Sequence, residues 1–151
     1  MYRNTTAAKT LNCITDIKLI MDKNRIVLLA DDDEDDRFIF QEALADVDPS
    51  VVFFSSNNGC EALERLGTRG FSPDIIFMDI NMPVMNGIEC LKKIKESKNY
   101  NKIPVIMYST SGNDDARQEC INLGANGFIQ KPFSMMKMRD EIKNAMDSLS
   151  E

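Results

Sequence analysis

Four positions in the chain carry side chains that can bind a cation and a phosphoryl group. Each follows a short apolar run: the three aspartates at residues 31–33, then Asp79, then the hydroxyls of Ser109 and Thr110, and finally Lys131. Carboxylate oxygens are the ligands that Mg²⁺ prefers, and a lysine can bind phosphate as a point charge. If the four positions converge, they favour a site that binds Mg²⁺ and a phosphoryl group.

The acids would repel one another if they shared a crevice without a cation. At about 4–5 Å two carboxylates repel by roughly 1–4 kcal/mol, depending on the effective dielectric. Mg²⁺ removes this repulsion and is usually held by one or two carboxylates together with phosphate. Each group alone has an ordinary interpretation: Asp33, Glu34, Asp35 and Asp36 as solvated acids at a helix start, Ser109 as a strand end, and Lys131 as a surface lysine. The four strand ends indicate a site only when they are taken together.

Short apolar runs alternate with amphipathic stretches from residue 25 onward. A continuous apolar run such as IVLLA is typical of a strand that is buried on both faces. In the first helix, Phe38, Ile39, Ala43 and Leu44 form the predicted core-facing stripe. Strands are predicted at residues 26–30, 51–54, 74–78, 104–108 and 126–129, and helices at residues 35–46, 57–66, 87–98, 114–123 and 134–149.

This strict alternation predicts an α/β fold with one parallel sheet and helices on both faces. Right-handed crossovers leave few arrangements, and a doubly wound, flavodoxin-like sheet of order 2-1-3-4-5 with five helices fits them. A closed barrel would need eight units. Ligands of such sheets bind outside the carboxyl ends of the strands, which is where the four polar positions lie.

Composition excludes several classes of function. The net charge is −6, from 18 basic and 24 acidic side chains, which argues against nucleic-acid binding. The chain has no histidine, so Ser-His-Asp catalysis, Cys-His catalysis and a Cys/His zinc site are excluded. No apolar run reaches the roughly 18 residues of a membrane span, and the four widely spaced cysteines are typical of reduced thiols. We therefore expect a cytoplasmic protein without a membrane partner.

The first 24 residues do not follow the strand–helix pattern. We predict an N-terminal extension at residues 1–24, either flexible or forming a short helix through Leu11, Ile14, Ile17 and Ile20. Met21 is an alternative start, which leaves open whether residues 1–20 belong to the natural protein. The single predicted domain spans residues 25–149.

The motifs VLLADDD, IIFMDINMPVMNG, IPVIMYST and GANGFIQKPF together resemble the receiver domains of bacterial response regulators. The likeness is greatest to small stand-alone receivers of the chemotaxis and phytochrome-associated kinds, and it covers residues 25–149. It implies a Mg²⁺-dependent phosphoacceptor site in which Asp79 is the phosphoacceptor. The implied metal ligands are Asp31, Asp32, Asp79 and the backbone carbonyl of Asn81. The implied assisting groups are Lys131, Ser109 and Thr110.

The same resemblance implies a conformational switch. Ser109 matches the switch hydroxyl, and Phe128 stands where many members carry an aromatic residue, often tyrosine. Because phenylalanine has no hydroxyl, a hydrogen-bonded form of that switch is in doubt for this chain. The resemblance also implies a cis Lys131–Pro132 bond.

The implied function is a phosphorelay switch and not an enzyme acting on a free substrate. A histidine kinase or a histidine phosphotransfer protein would donate the phosphoryl group, and an unknown downstream protein would receive the signal. We expect no output domain after Glu151, so output would be a protein contact, onward transfer of the phosphoryl group, or a homodimer formed through the last helices. Two alternatives remain: a docking module that works without phosphorylation, and an aspartate-nucleophile Mg²⁺ phosphatase, which would want an aspartate in place of Asn81.

Overall fold

The computed structural model describes residues 24–150, in which five strands alternate with five helices. The predicted N-terminal extension therefore lies almost wholly outside the described residues. Element boundaries differ from the predicted ones by no more than two residues. The strands are β1 Ile26–Ala30, β2 Val52–Ser56, β3 Ile75–Met78, β4 Val105–Ser109 and β5 Gly127–Gln130; the helices are α1 Glu34–Val47, α2 Gly59–Leu66, α3 Gly87–Glu96, α4 Asp114–Asn122 and α5 Met135–Ser148.

All five strands pair in parallel, in the order β2-β1-β3-β4-β5. The predicted fold class and strand order are thereby confirmed. β1 is an inner strand: β2 is added on one side of it, and the chain then crosses to β3 on the other side. This reversal leaves a crevice at the carboxyl ends of β1 and β3, as expected for a doubly wound sheet.

The three central strands are buried on both faces because helices cover each side of the sheet. Alternate residues of β1 point to opposite faces: Leu28 packs with α2, α3 and α4, whereas Leu29 packs with α1 and α5. The side chains of β1, β3 and β4 are buried throughout, which explains why these strands are continuous apolar runs.

Side-chain caps determine where the helices begin. The N-cap residues of α2, α3, α4 and α5 each accept a hydrogen bond from the backbone N–H three residues later; they are Asn58, Asn86, Asn113 and Ser134. Asp33 caps α1 and accepts from the amides of both Asp35 and Asp36. Each cap satisfies an amide that would otherwise lack a partner, and it fixes the loop that precedes the helix.

The predicted core-facing stripe of α1 is partly wrong. Phe38 is 63% exposed and Ile39 is 40% exposed, whereas Phe40 is completely buried beside Ala43 and Leu44. Three consecutive large apolar residues leave the rotational phase of a helix ambiguous, because each residue turns the helix by 100°. The contacts with the sheet and with α5 select Phe40.

None of the helices within residues 24–150 is long and apolar enough to cross a membrane.

Candidate functional site

The backbone ladder places the predicted site residues side by side at one edge of the sheet. The amide of Asp79 donates to the Ala30 carbonyl at 2.9 Å, and the amide of Lys131 donates to the Ser109 carbonyl at 2.9 Å. Each residue follows a strand or ends it, so their side chains share the crevice beyond β1, β3, β4 and β5. Asp31, Asp79, Ser109 and Lys131 are all buried.

Lys131 connects three carboxylates. Its ammonium Nζ lies 2.7 Å from Asp31 Oδ2, 2.7 Å from Asp36 Oδ2 and 3.2 Å from Asp79 Oδ2. Asp36 was predicted only as a solvated acid of the helix start, so the sequence analysis missed its contact with Lys131. The signal was its position in the first turn of α1, from which a side chain points back over the carboxyl ends of the strands.

The electrostatics of this group follow from burial and pairing. Burial alone would lower the pKa of Lys131, but the hydrogen bonds to Asp31 and Asp36 outweigh it and raise the pKa above its usual value. Burial raises the pKa of Asp31, and the hydrogen bonds from Lys131 and from the Asp33 amide only partly oppose this. One ammonium shared by three carboxylates therefore leaves the crevice with an excess of negative charge.

A divalent cation would neutralise this excess of negative charge. Carboxylate oxygens of Asp31, Asp32 and Asp79 lie within 4.8 Å of one another. Asp79 Oδ1 is buried and has no hydrogen-bond partner among the described residues. A buried carboxylate oxygen without a partner is costly, and a hard cation with oxygen ligands would satisfy it. The donor set is made only of oxygen atoms, which suits Mg²⁺.

The loop after β3 approaches Asp79 very closely at Gly87. A Cβ atom at this position would overlap the Asp79 carbonyl oxygen, so a larger residue does not fit here without movement. The amide of Gly87 donates to the Ile80 carbonyl at 2.8 Å, which closes the loop. Val84, at the exposed tip, has a φ of 66°, a left-handed conformation that is rare for a β-branched residue.

The predicted hydroxyl groups differ in their surroundings. Ser109 is completely buried, and its Oγ lies 3.4 Å from Ser111 Oγ, whereas Thr110 is exposed. The Asn81 side-chain amide donates to Ser111 Oγ at 3.2 Å. A chain of three polar side chains therefore links the loop after β3 to the loop after β4, and Ser111 is a member that the sequence analysis did not single out.

Phe128 is half-buried on β5, and the guanidinium of Arg117 lies 5.0 Å from the centre of its ring.

The Lys131–Pro132 bond is trans, so the cis bond that the family resemblance implied is wrong for this structure. The trans form is the intrinsically favoured isomer of a peptide bond before proline.

A cavity of about 390 Å³ opens beside Lys131. Asp36, Thr110 and Lys131 form its polar side, and its apolar wall includes Tyr108 and Met138. Phe133, on the rim, is fully exposed.

The sequence of this chain is similar to those of several known proteins. The family model of the response regulator receiver domain matches residues 27–143. The chemotaxis protein CheY of Halobacterium salinarum is 33% identical over 120 residues, which are 80% of this chain and 95% of that protein. A protein-glutamate methylesterase/protein-glutamine glutaminase of Clostridium acetobutylicum is 37% identical over 121 residues, which are 77% of this chain and 34% of that protein. The chain therefore spans only about a third of that relative's length.

Solved structures show the same fold. The phosphorylated cyanobacterial phytochrome response regulator RcpA has a TM-score of 0.77 and 27% identity, with 85% of this chain and 95% of that chain covered. The chemotaxis response regulator CheY4 of Vibrio cholerae has a TM-score of 0.70 and 28% identity, with 80% of this chain and 98% of that chain covered.

Proposed function

Because the chain belongs to the response regulator receiver domain family, we propose that it is a switch of two-component signalling that accepts a phosphoryl group on Asp79. Receiver domains accept phosphate from histidine kinases and act on downstream targets. The observation that carries the proposal is how the two carboxylate oxygens of Asp79 are contacted. Lys131 holds one carboxylate oxygen at 3.2 Å, and the other oxygen is buried without a hydrogen-bond partner within residues 24–150.

In the proposed reaction, a carboxylate oxygen of Asp79 attacks the phosphorus of a phosphohistidine presented by a partner protein. The new O–P bond forms as the P–N bond to the histidine breaks, and the electron pair of the P–N bond leaves with the imidazole. Lys131 neutralises charge on the phosphoryl oxygens, and the backbone N–H of Thr110 and the hydroxyl of Ser109 donate hydrogen bonds to them. Hydrolysis of the acyl phosphate later restores the carboxylate.

The proposed Mg²⁺ ligands are Asp31, Asp32, Asp79 and the backbone carbonyl of Asn81. The support is the excess negative charge of the crevice and the free Oδ1 of Asp79. The bound ion would supply positive charge that neutralises the phosphoryl oxygens during transfer. Lys131 contacts both Asp31 and Asp79 and so holds these two carboxylates beside each other.

The proposed output is a change of surface near β4 and β5. Ser109 moves towards the phosphoryl group, and Phe128 fills the space that this movement opens. The half-buried ring of Phe128 and its position beside Met107 on β4 support this assignment. The affected surface would be residues 113–149, where a target protein or a second copy of the chain docks.

Two alternatives fit the site less well. An aspartate-nucleophile phosphatase would want a second acid two residues after Asp79, and Asn81 has a side-chain amide that donates to Ser111. A docking module that works without phosphorylation would not need the buried contact between Lys131 and Asp79. We therefore favour a phosphoacceptor over an enzyme with a free substrate.

The experiment that tests this proposal is labelling of the purified wild-type chain by phosphoramidate. Intact mass spectrometry should detect one phosphoryl adduct when Mg²⁺ is present and much less after chelation with EDTA. The absence of an adduct under both conditions would contradict the proposal.

A further inference from the structure

Tyr108 lies beneath the ammonium group of Lys131. The distance from Lys131 Nζ to the centre of the Tyr108 ring is 5.2 Å, within the range of about 6 Å over which an aromatic face attracts a cation. Both side chains are buried, Tyr108 being 2% exposed and Lys131 9%. An interaction of this kind is stronger where water is excluded, so it acts here under favourable conditions.

The ring itself is held in place from two helices. The ring of Phe40, on α1, lies 5.4 Å from it in an edge-to-face arrangement with an interplanar angle of 74°. The Tyr108 hydroxyl donates to the sulfur of Met138, on α5, at 3.7 Å. Tyr108 also precedes Ser109 at the end of β4, so the backbone of the sheet fixes its position relative to the crevice.

We propose that Tyr108 is a positioning residue that holds the Lys131 ammonium beside Asp79 while the lysine exchanges its oxygen partners. The three other contacts of the ammonium that the structure records are carboxylates, and that of Asp79 changes when its oxygen receives a phosphoryl group. The aromatic ring is a neutral partner that this change leaves intact. This inference rests on the proposed function, because it concerns the same phosphoryl transfer.

The proposed role requires the aromatic ring of Tyr108 and not its hydroxyl group. The Tyr108 hydroxyl donates to the sulfur of Met138, and burial raises the pKa of Tyr108. The hydroxyl therefore stays protonated and takes no part in proton transfer. Phenylalanine should therefore replace tyrosine without loss of the positioning effect. An aliphatic residue should remove the effect, because it offers no negative π face to the cation.

The test compares Tyr108→Leu and Tyr108→Phe in labelling by acetyl phosphate over a range of concentrations. Tyr108→Leu should lower the maximal rate by about 5- to 30-fold, as expected for loss of a desolvated cation–π contact, and leave the half-saturating concentration unchanged. Tyr108→Phe should keep a rate close to that of wild type. Phe77→Leu is the matched control, because the ring of Phe77 also packs on Phe40, with 4.9 Å between ring centroids.

The outcomes separate this inference from the proposed function. If wild type is not labelled at all, the proposed function fails. If wild type is labelled and Tyr108→Leu reacts as fast as Tyr108→Phe, the positioning role is wrong. An equal loss in Phe77→Leu would assign the effect to core packing and would also overturn it.

A second measurement does not depend on the folding of Tyr108→Leu. In wild type and in Tyr108→Phe, the ring current should shift the NMR signals of the Lys131 Cε protons upfield from those of the exposed lysines. Signals at the ordinary positions of exposed lysines would show that the ammonium does not lie over the ring, and the inference would then be rejected.

Discussion

Lys131 Nζ lies 3.2 Å from Asp79 Oδ2, while Oδ1 of the same carboxylate is buried and has no hydrogen-bond partner in the part of the chain that the structure describes. The lysine thus orients the carboxylate and leaves its other oxygen available to a cation. The same ammonium contacts Asp31 and Asp36, so it also holds the acidic crevice together. Lys131 therefore affects both the stability of the fold and the reactivity of Asp79.

The first prediction concerns this coupling. Lys131→Met should lower the free energy of unfolding by about 3–5 kcal/mol in the absence of divalent cations, because it leaves buried carboxylates without their counter-charge. Urea unfolding at neutral pH measures the change, and added Mg²⁺ should recover part of the loss. Lys143→Met is the control, since Lys143 pairs with Asp147 on an exposed helix face and should matter little. Equal losses for the two variants would refute the coupling.

The second prediction concerns the cation. Asp32→Ala should weaken Mg²⁺ binding by about tenfold or more, equivalent to about 1.4 kcal/mol, because it removes an oxygen ligand. Asp35→Ala removes the same charge from the same helix start but lies outside the cluster of Asp31, Asp32 and Asp79. Isothermal titration with Mg²⁺ compares the two variants. Similar losses would show that general negative charge, and not ligation by Asp32, governs binding.

The third prediction concerns the loop that supports Asp79. Gly87→Ala should lower the free energy of unfolding by about 1–3 kcal/mol, because the added methyl group would meet the Asp79 carbonyl oxygen. Gly112→Ala is the control, because the nearest atom to its added methyl group is a flexible Gln130 side-chain carbon at 3.3 Å. Urea unfolding of both variants gives the comparison. A Gly87→Ala variant as stable as wild type would mean that the loop can move away from Asp79.

The fourth prediction concerns output. Ser109→Ala should still bind beryllofluoride at Asp79 but should change hydrogen exchange in residues 113–149 much less than wild type does. The reason is that the buried hydroxyl of Ser109 is the proposed trigger. Ser111→Ala, which removes the neighbouring hydroxyl, should respond almost as wild type does. A full response by Ser109→Ala would exclude the trigger role, and no response by wild type would exclude this output surface.

The fold could be predicted largely from residue patterns. Strands buried on both faces appear as continuous apolar runs, and β1, β3 and β4 have that character. The strict alternation of strands and helices restricted the topology, and the carboxyl ends of parallel strands necessarily share one edge. For these reasons Asp31, Asp79 and Lys131 could be expected to meet although 100 residues separate the first from the last.

Other features depended on contacts that the sequence does not encode locally. Asp36 has the appearance of an ordinary acid near a helix start, and only the folded crevice brings Lys131 within 2.7 Å of it. The rotational phase of α1 was set by packing, which buried Phe40 and left Phe38 exposed. The isomer of the Lys131–Pro132 bond followed the general trans preference and not the family resemblance.

The measurement that most directly tests the central claim is labelling of Asp79→Asn by acetyl phosphate with Mg²⁺ present, followed by intact mass spectrometry. Wild type should gain one phosphoryl group, and so should Asp33→Asn, because asparagine can keep the helix cap that Asp33 provides. Asp79→Asn should gain none, because an amide is not a usable nucleophile. An undiminished phosphoryl adduct on Asp79→Asn would contradict the assignment of Asp79 as the phosphoacceptor.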